Sequence, residues 1–115
     1  METGQGALLF SYGALQQPEL QLDTFGRVVQ TEPDVLPGYT ADYVEIRDTR
    51  FSDLTGMTVH PMLRRTGTAR DKVTGRVLHL TDDEVDAADE FEMSLFHRER
   101  VTLASRREAW VYLGQ

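Results

Sequence analysis

Leu9-Phe10-Ser11-Tyr12-Gly13-Ala14-Leu15 is the stretch on which the reading of this chain turns. Ala7 to Tyr12 is a short apolar run stopped by a glycine, the pattern of a buried strand. A glycine placed there lets the backbone turn with its N–H groups exposed, which makes a nest for an anion. Near the other end stands Asp89-Glu90-Phe91-Glu92, which sets a carboxylate at the inner edge of a short amphipathic helix. Backbone donors facing one poised carboxylate are a minimal kit for acyl transfer within a small anionic substrate. The plainer alternative for the first stretch is an ordinary strand-to-helix turn, with Tyr12 a core residue.

Outward from that stretch, Pro18 opens a helix, since proline suits a first helical position, with Leu20 and Phe25 inward and Gly26 as its stop. A strand stub over Arg27–Gln30 and a turn at Pro33-Asp34 follow. Leu36-Pro37-Gly38-Tyr39 reads as a broken edge strand, because proline cannot donate to a ladder. Tyr43-Val44-Glu45-Ile46-Arg47 alternates at period two, as a half-buried strand does. Asp48 to Gly56 reads as a polar loop, Met57 to Met62 as a short strand interrupted by His60-Pro61, and Thr66-Gly67-Thr68 as a turn.

Lys72 to Leu80 is the clearest strand, with either Val73, Val77 and His79 or Leu78 and Leu80 facing the core. Thr81-Asp82-Asp83-Glu84 is a capping box that opens a helix running to about Glu92, with Val85, Ala88 and Phe91 as its apolar stripe. Arg98–Leu103 and Ala109–Leu113 alternate around Ser105-Arg106-Arg107 as a terminal hairpin. The sum is an α+β fold: two short helices and about six strands in a mainly antiparallel, strongly curved sheet or small barrel. At 115 residues, one domain over 1–115 is expected.

Composition narrows the function classes. Apolar residues make up 40% and charged residues 27%, the balance of a soluble globular chain. Twelve basic against 19 acidic residues give a net charge of −7, and no basic run exceeds two residues, so a phosphate backbone is repelled and no nucleic-acid partner is expected. With no cysteine, disulfides, thiolate zinc sites and a cysteine nucleophile are excluded. The opening Met1-Glu2-Thr3-Gly4-Gln5-Gly6 is not a signal peptide, and no segment approaches the roughly 20 apolar residues of a membrane span. A cytoplasmic protein without a membrane partner is expected.

Glu92 is the sharpest candidate for chemistry. Val85 and Glu92 are seven residues apart and so share nearly one helix face, which makes the core-facing stripe end in a carboxylate. Desolvation there raises a glutamate from about 4.3 towards neutrality, as a general base working near pH 7 requires. The competing reading has the helix fray before Glu92, leaving it in water or paired with Arg98. His60, His79 and His97 share no metal-ligand spacing, and no metal or other cofactor is expected. His60 is held extended by Pro61, which would let it line a pocket, but a structural role is the preferred reading. The acidic run from Asp82 to Glu90 reads as a solvated helix face, and Trp110 with Tyr112 as sheet packing. There is no serine nucleophile elbow and no P-loop.

These residues resemble the γ-glutamylcyclotransferase-like proteins, a family of small α+β barrel domains. Leu9 to Leu15 is similar to the family's opening strand and Tyr-Gly-x-Leu substrate loop. His60-Pro61, Thr66-Gly67 and Val73-Thr74-Gly75-Arg76-Val77 resemble its middle, Asp89-Glu90-Phe91-Glu92 its Asp-x-x-Glu, and Arg98 to Tyr112 its closing hairpin. The resemblance implies a cofactor-independent cyclotransferase acting on a small γ-glutamyl amide or amine, with the substrate's α-amine attacking its own γ-carbonyl to release 5-oxoproline. Glu92 would be the general acid and base; Tyr12, Gly13, Ala14 and Leu15 would bind substrate, with Phe96 beside them. Met93 stands where many members have glycine, and Phe96 where a tyrosine is frequent. The alternative is a non-catalytic module that holds a carboxylate-bearing metabolite or a peptide terminus in the Tyr12–Leu15 loop.

Overall fold

The computed structural model describes residues 6–45, 53, 56, 59–92 and 96–114, with Glu92 described at its backbone only. Among them, β1 (Ala7–Ser11) leads through a single 3-10 turn (Ala14–Gln16) into α1 (Pro18–Phe25). Strands β2 (Thr31–Pro37), β3 (Tyr39–Glu45), β4 (Val59–Arg65) and β5 (Lys72–Leu80) follow, then α2 (Asp82–Glu92) and the hairpin β6 (Phe96–Thr102) and β7 (Glu108–Gly114). Five strands form one sheet in the order β2-β5-β1-β7-β6, and β3 pairs with β4 in a separate ribbon. Every pairing is antiparallel except β1 with β7, which runs parallel through Leu9 and Trp110. The α+β class with a mainly antiparallel sheet and two helices is therefore as expected, with seven strands rather than about six.

Three local readings are corrected. Pro33-Asp34 is not a turn and Arg27–Gln30 is not a strand; β2 runs straight through Pro33, which pairs with Arg76. It can do so because β2 is an edge strand, where a missing N–H leaves no ladder bond unmade. His60-Pro61 likewise does not interrupt its strand, since β4 continues unbroken to Arg65 with Pro61 opposite Tyr43. The expected loop Asp48–Gly56 lies outside the described residues except for Asp53, which is helical, and Gly56.

The sheet is buried on both faces, which resolves the ambiguity of β5. Leu9, Leu78, Leu80 and Tyr112 pack with Leu15, Leu20, Val85 and Ala88 beneath the helices. Phe10, Val77, Val111 and Val73 pack with Leu36, Leu63 and Tyr39 on the opposite face, towards the ribbon. Neighbours such as Leu9 and Phe10 go to opposite cores, as the two-residue strand period requires. The sheet curls enough for the β6–β7 turn to reach the far edge: Ala104 N–H bonds the Val35 carbonyl at 2.8 Å, and Ser105 donates to Asp34 at 2.6 Å.

Helix ends follow their signals. Gly26 closes α1 in the left-handed conformation (φ 79°), where a side chain is strained, and its N–H bonds the Leu22 carbonyl at 2.9 Å. The capping box of α2 is formed both ways, Thr81 N–H to Glu84 at 2.9 Å and Glu84 N–H to the Thr81 hydroxyl at 3.2 Å. Arg27 then grips the same Glu84 carboxylate with two bonds, at 2.7 and 2.8 Å, and so ties the end of α1 to the start of α2. That guanidinium holds the Glu84 carboxyl below the usual carboxylate range.

Candidate functional site

The Tyr12–Leu15 loop sits where β1 leaves the sheet. Its conformation is set by the 3-10 turn that follows: Gln16 N–H and Gln17 N–H bond the carbonyls of Gly13 and Ala14 at 3.1 and 3.0 Å. A turn so closed uses the loop's carbonyls and leaves its first N–H groups over. Among the described residues, no hydrogen bond takes the N–H of Gly13, Ala14 or Leu15.

Gln21 braces this loop from α1. It is 2% exposed, donates to the Leu15 carbonyl at 2.9 Å, and accepts from Val29 N–H at 3.1 Å. Sequence reasoning missed it, having sought inward contacts only among Leu20 and Phe25. Leu20 is buried as expected, while Phe25 packs against the core only in part. The available signal was slight: Gln21 stands directly beside Leu20, the other buried residue of this helix.

Tyr12, Gly13, Ala14, Leu15 and Phe96 all line one cavity, so five of the six residues singled out from the sequence come together. The space is about 30 Å³, enough for about two water molecules, and it opens to solvent. Leu9, Phe10 and Pro61 give it apolar walls, and Ser11 and His60 add buried polar side chains. Among the described lining residues there is no lysine or arginine. The Tyr12 hydroxyl is not idle core surface; it donates to the carbonyl of Tyr112, which also lines the cavity.

Glu92 closes α2, and its side chain, like Met93, lies outside the described residues. The face that leads to it is buried as expected, with Val85 5% and Ala88 0% exposed. One turn before Glu92, Asp89 accepts from the Tyr112 hydroxyl at 2.6 Å and pairs with Arg98 at 3.1 Å. Arg98 in turn lies over the Trp110 ring, 4.3 Å from its centroid. The last turn of α2 is thereby fastened to the same residue, Tyr112, that receives the Tyr12 hydroxyl. Sequence reasoning noted Asp89 only as part of the motif. Its tether was hidden because the partner lies 23 residues away on another strand.

His60, for which the sequence favours a structural role over a place in a pocket wall, does line the cavity. It is 2% exposed and forms part of the cavity wall, with Pro61 against Gly13: a Cβ on Gly13 would stand 3.4 Å from Pro61 Cγ. His79 pairs with Glu32 on the sheet and His97 with Glu99, both at partly exposed positions. No cluster of three or more metal-ligating side chains occurs among the described residues. Nor, among them, is any helix long and apolar enough to cross a membrane.

The chain and its fold have known relatives. A family model described as γ-glutamyl cyclotransferase, AIG2-like, matches residues 9–115. The chain belongs to this family. Its membership supports a function of the cyclotransferase type and a small γ-glutamyl substrate as the kind of partner. Solved structures agree on the γ-glutamyl cyclotransferase fold. Two Arabidopsis thaliana proteins known in solution, each 20% identical, superpose with TM-scores of 0.75 and 0.72, covering 98% and 99% of this chain and 71% and 65% of theirs. A protein named γ-glutamyl cyclotransferase does so at 14% identity and a TM-score of 0.71, covering 96% of this chain and 68% of its own. At such identities the likeness is one of fold. No curated protein matches this chain significantly in sequence.

Proposed function

We propose that this protein is a cytoplasmic, single-domain cyclotransferase that releases 5-oxoproline from a small γ-glutamyl amide or amine without a metal or organic cofactor. The observation that carries the reading is the cavity itself, which gathers Tyr12, Gly13, Ala14, Leu15 and Phe96 next to loop N–H groups that no described group takes. A space of about 30 Å³ accepts a group the size of a carboxylate, with the rest of the ligand in the open mouth. The α-carboxylate of the γ-glutamyl head would lie on those N–H groups, charge against oriented dipoles.

Held there, the α-amine is positioned to reach the γ-carbonyl. Glu92 would take a proton from the α-ammonium; the freed nitrogen would attack the γ-carbon and form the new C–N bond. The bond to the leaving amine would then break as Glu92 hands its proton to that nitrogen, and the second proton shed by the new ring nitrogen goes to the same amine, which leaves as an ammonium. Reactants and products balance as γ-glutamyl amide to 5-oxoproline plus amine. Because the reacting groups belong to one molecule, positioning and one proton shuttle supply most of what the reaction needs. Asp89, anchored to Tyr112 and Arg98, supports this role by fixing the helical turn from which Glu92 extends.

The test is release of 5-oxoproline from a panel of γ-glutamyl compounds, read by mass spectrometry, with Glu92→Gln alongside. Product from the wild type and a loss of at least about a hundredfold in kcat for the variant, the scale of general acid–base catalysis, is the expected result. Equal turnover by both would remove Glu92 from the mechanism. Saturable binding of 5-oxoproline without turnover of any compound would establish the binding module instead.

A further inference from the structure

The polar residues that the described fold buries are Ser11, Gln21 and His60. Ser11 and His60 line the cavity beside the loop, and Gln21 holds the Leu15 carbonyl. Polar groups buried in this way are held by hydrogen bonds, since each bond left unmade costs on the order of 1–3 kcal/mol. Gln21 braces the loop from α1. His60 comes from a different part of the fold, the β3–β4 ribbon, where it stands opposite Val44. It brings an imidazole to a wall otherwise built largely from leucine, phenylalanine, alanine and proline.

That wall has a charge problem if it is to hold an anion. No lysine or arginine is present among its described residues, and the chain carries a net charge of −7. A carboxylate moved into an apolar space must be met by several donors, since hydrogen bonds to the charged form are what offset its lost hydration. The loop N–H groups are one part of such a set. Pro61 stands against Gly13, and His60 lines the same cavity as Gly13, Ala14 and Leu15. An imidazole N–H donates in either protonation state, and two ring nitrogens let one face a ligand while the protein holds the other.

We infer that His60 is a substrate-binding residue that donates a hydrogen bond to the α-carboxylate of the γ-glutamyl head, completing the donor set of the Gly13–Leu15 backbone. This rests on the cyclotransferase reading and specifies how that site recognises its substrate class. It makes the ribbon a working part of the site and sets selectivity for compounds that keep a free α-carboxylate.

Two lactams that differ only by that group provide the test: 5-oxoproline, and 2-pyrrolidinone, which lacks the carboxylate. Affinities of both are measured by calorimetry for the wild type, His60→Leu and His60→Gln. The wild type is expected to prefer 5-oxoproline. His60→Leu should lose about tenfold to a hundredfold of that preference, the worth of a hydrogen bond to a charged group, entirely through 5-oxoproline. His60→Gln, which keeps a donor, should retain most of it. An unchanged preference in His60→Leu, or an equal loss for both lactams, overturns the role of His60. If 5-oxoproline is still released while that preference is unchanged, the cyclotransferase reading survives and His60 alone is wrong. A wild type that binds neither lactam and turns over no γ-glutamyl compound overturns both readings. Should His60→Leu fail to fold, the ring nitrogen-15 shifts of His60 in the wild type decide. A response to 5-oxoproline alone supports the contact, and an equal or absent response to both lactams overturns it.

Discussion

Gly75→Ala should destabilise the protein, although a glycine within a strand is ordinarily improved by alanine. Removing glycine's extra unfolded-state freedom stabilises a strand by about 0.5–1 kcal/mol when the new methyl has room. At position 75 it has none. A Cβ built there stands 2.3 Å from the carbonyl oxygen of Ser11 and 2.9 Å from Phe10 Cζ. The first neighbour is backbone of β1, the central strand, so relief requires β1 and β5 to part by roughly 1 Å, beyond ordinary contact distances. Overpacking of this kind costs about 1–3 kcal/mol, which lowers Tm by roughly 4–12 °C at about 4 °C per kcal/mol. Gly114→Ala is the control. Its Cβ would meet the Met62 sulfur at 2.5 Å and Cγ at 2.7 Å, but a methionine side chain swings aside where a backbone carbonyl does not. Thermal melts followed by far-UV circular dichroism should therefore show a large loss for Gly75→Ala and a change within about 3 °C for Gly114→Ala. A Gly75→Ala protein melting at or above the wild-type temperature would refute the argument.

Further expectations concern the ties between elements. Glu84 and Asp34 both have carboxyls held below their usual range. For Glu84 the Arg27 guanidinium is the main cause; for Asp34 burial pushes upward, but bonds from Ser105, Val35 N–H and Arg107 outweigh it. A lowered folded-state pKa contributes stability that is full above the ordinary carboxylate range near about 4 and is lost as pH falls through the folded value. Tm should thus decline on acidification from pH 5 towards about pH 3, and Glu84→Gln should flatten part of that decline while costing about 1 kcal/mol at neutral pH; an unaltered acid profile in the variant would count against the Arg27–Glu84 tie. Tyr112→Phe removes the hydroxyl that bonds Asp89 and should cost about 1–2 kcal/mol, lowering kcat more than it changes KM; a pure KM effect would show that the anchor does not position the last turn of α2.

The legible parts of the fold were those set by local rules. The capping box at Thr81–Glu84, the stop at Gly26 and the β6–β7 hairpin are fixed by residues within a few positions of one another, and each occurs as read. The misreadings share another cause. Pro33 and Pro61 are strong breakers taken alone, yet both lie inside strands, because their effect depends on which neighbour the missing N–H would have faced. That neighbour is a matter of sheet order, which local sequence does not contain. The choice of core face for β5 failed to resolve for a related reason. Val73 and Val77 serve one core and Leu78 and Leu80 the other, so no single alternation existed to find. Within the candidate site, the motif residues were visible because their types and order are distinctive. Gln21 and the Tyr112–Asp89 bond were not, since each draws its meaning from a partner remote in sequence or from burial, and His60 was legible only as an alternative.

Tyr112 shows why the site is built on the sheet and not on the loops alone. Its carbonyl receives the Tyr12 hydroxyl, and its own hydroxyl bonds Asp89, so one strand residue holds the nest loop through its backbone and the end of α2 through its side chain. The two halves of the Tyr-Gly-x-Leu and Asp-x-x-Glu pair are 77 residues apart in sequence when Tyr12 is set against Asp89, and neither is rigid by itself. The loop is closed by a single 3-10 turn, and the last turn of a helix has unsatisfied carbonyls and frays. Fastening both to β7, which pairs with β1 on one side and β6 on the other, passes the stiffness of the sheet to each. Arg98, spread over Trp110 and paired with Asp89, adds a second hold on the same turn from β6. A reaction that relies on positioning more than on strong chemical activation needs this kind of support. It explains why aromatic residues of the closing hairpin, which touch no motif in sequence, are as much a part of the site's construction as the motifs themselves.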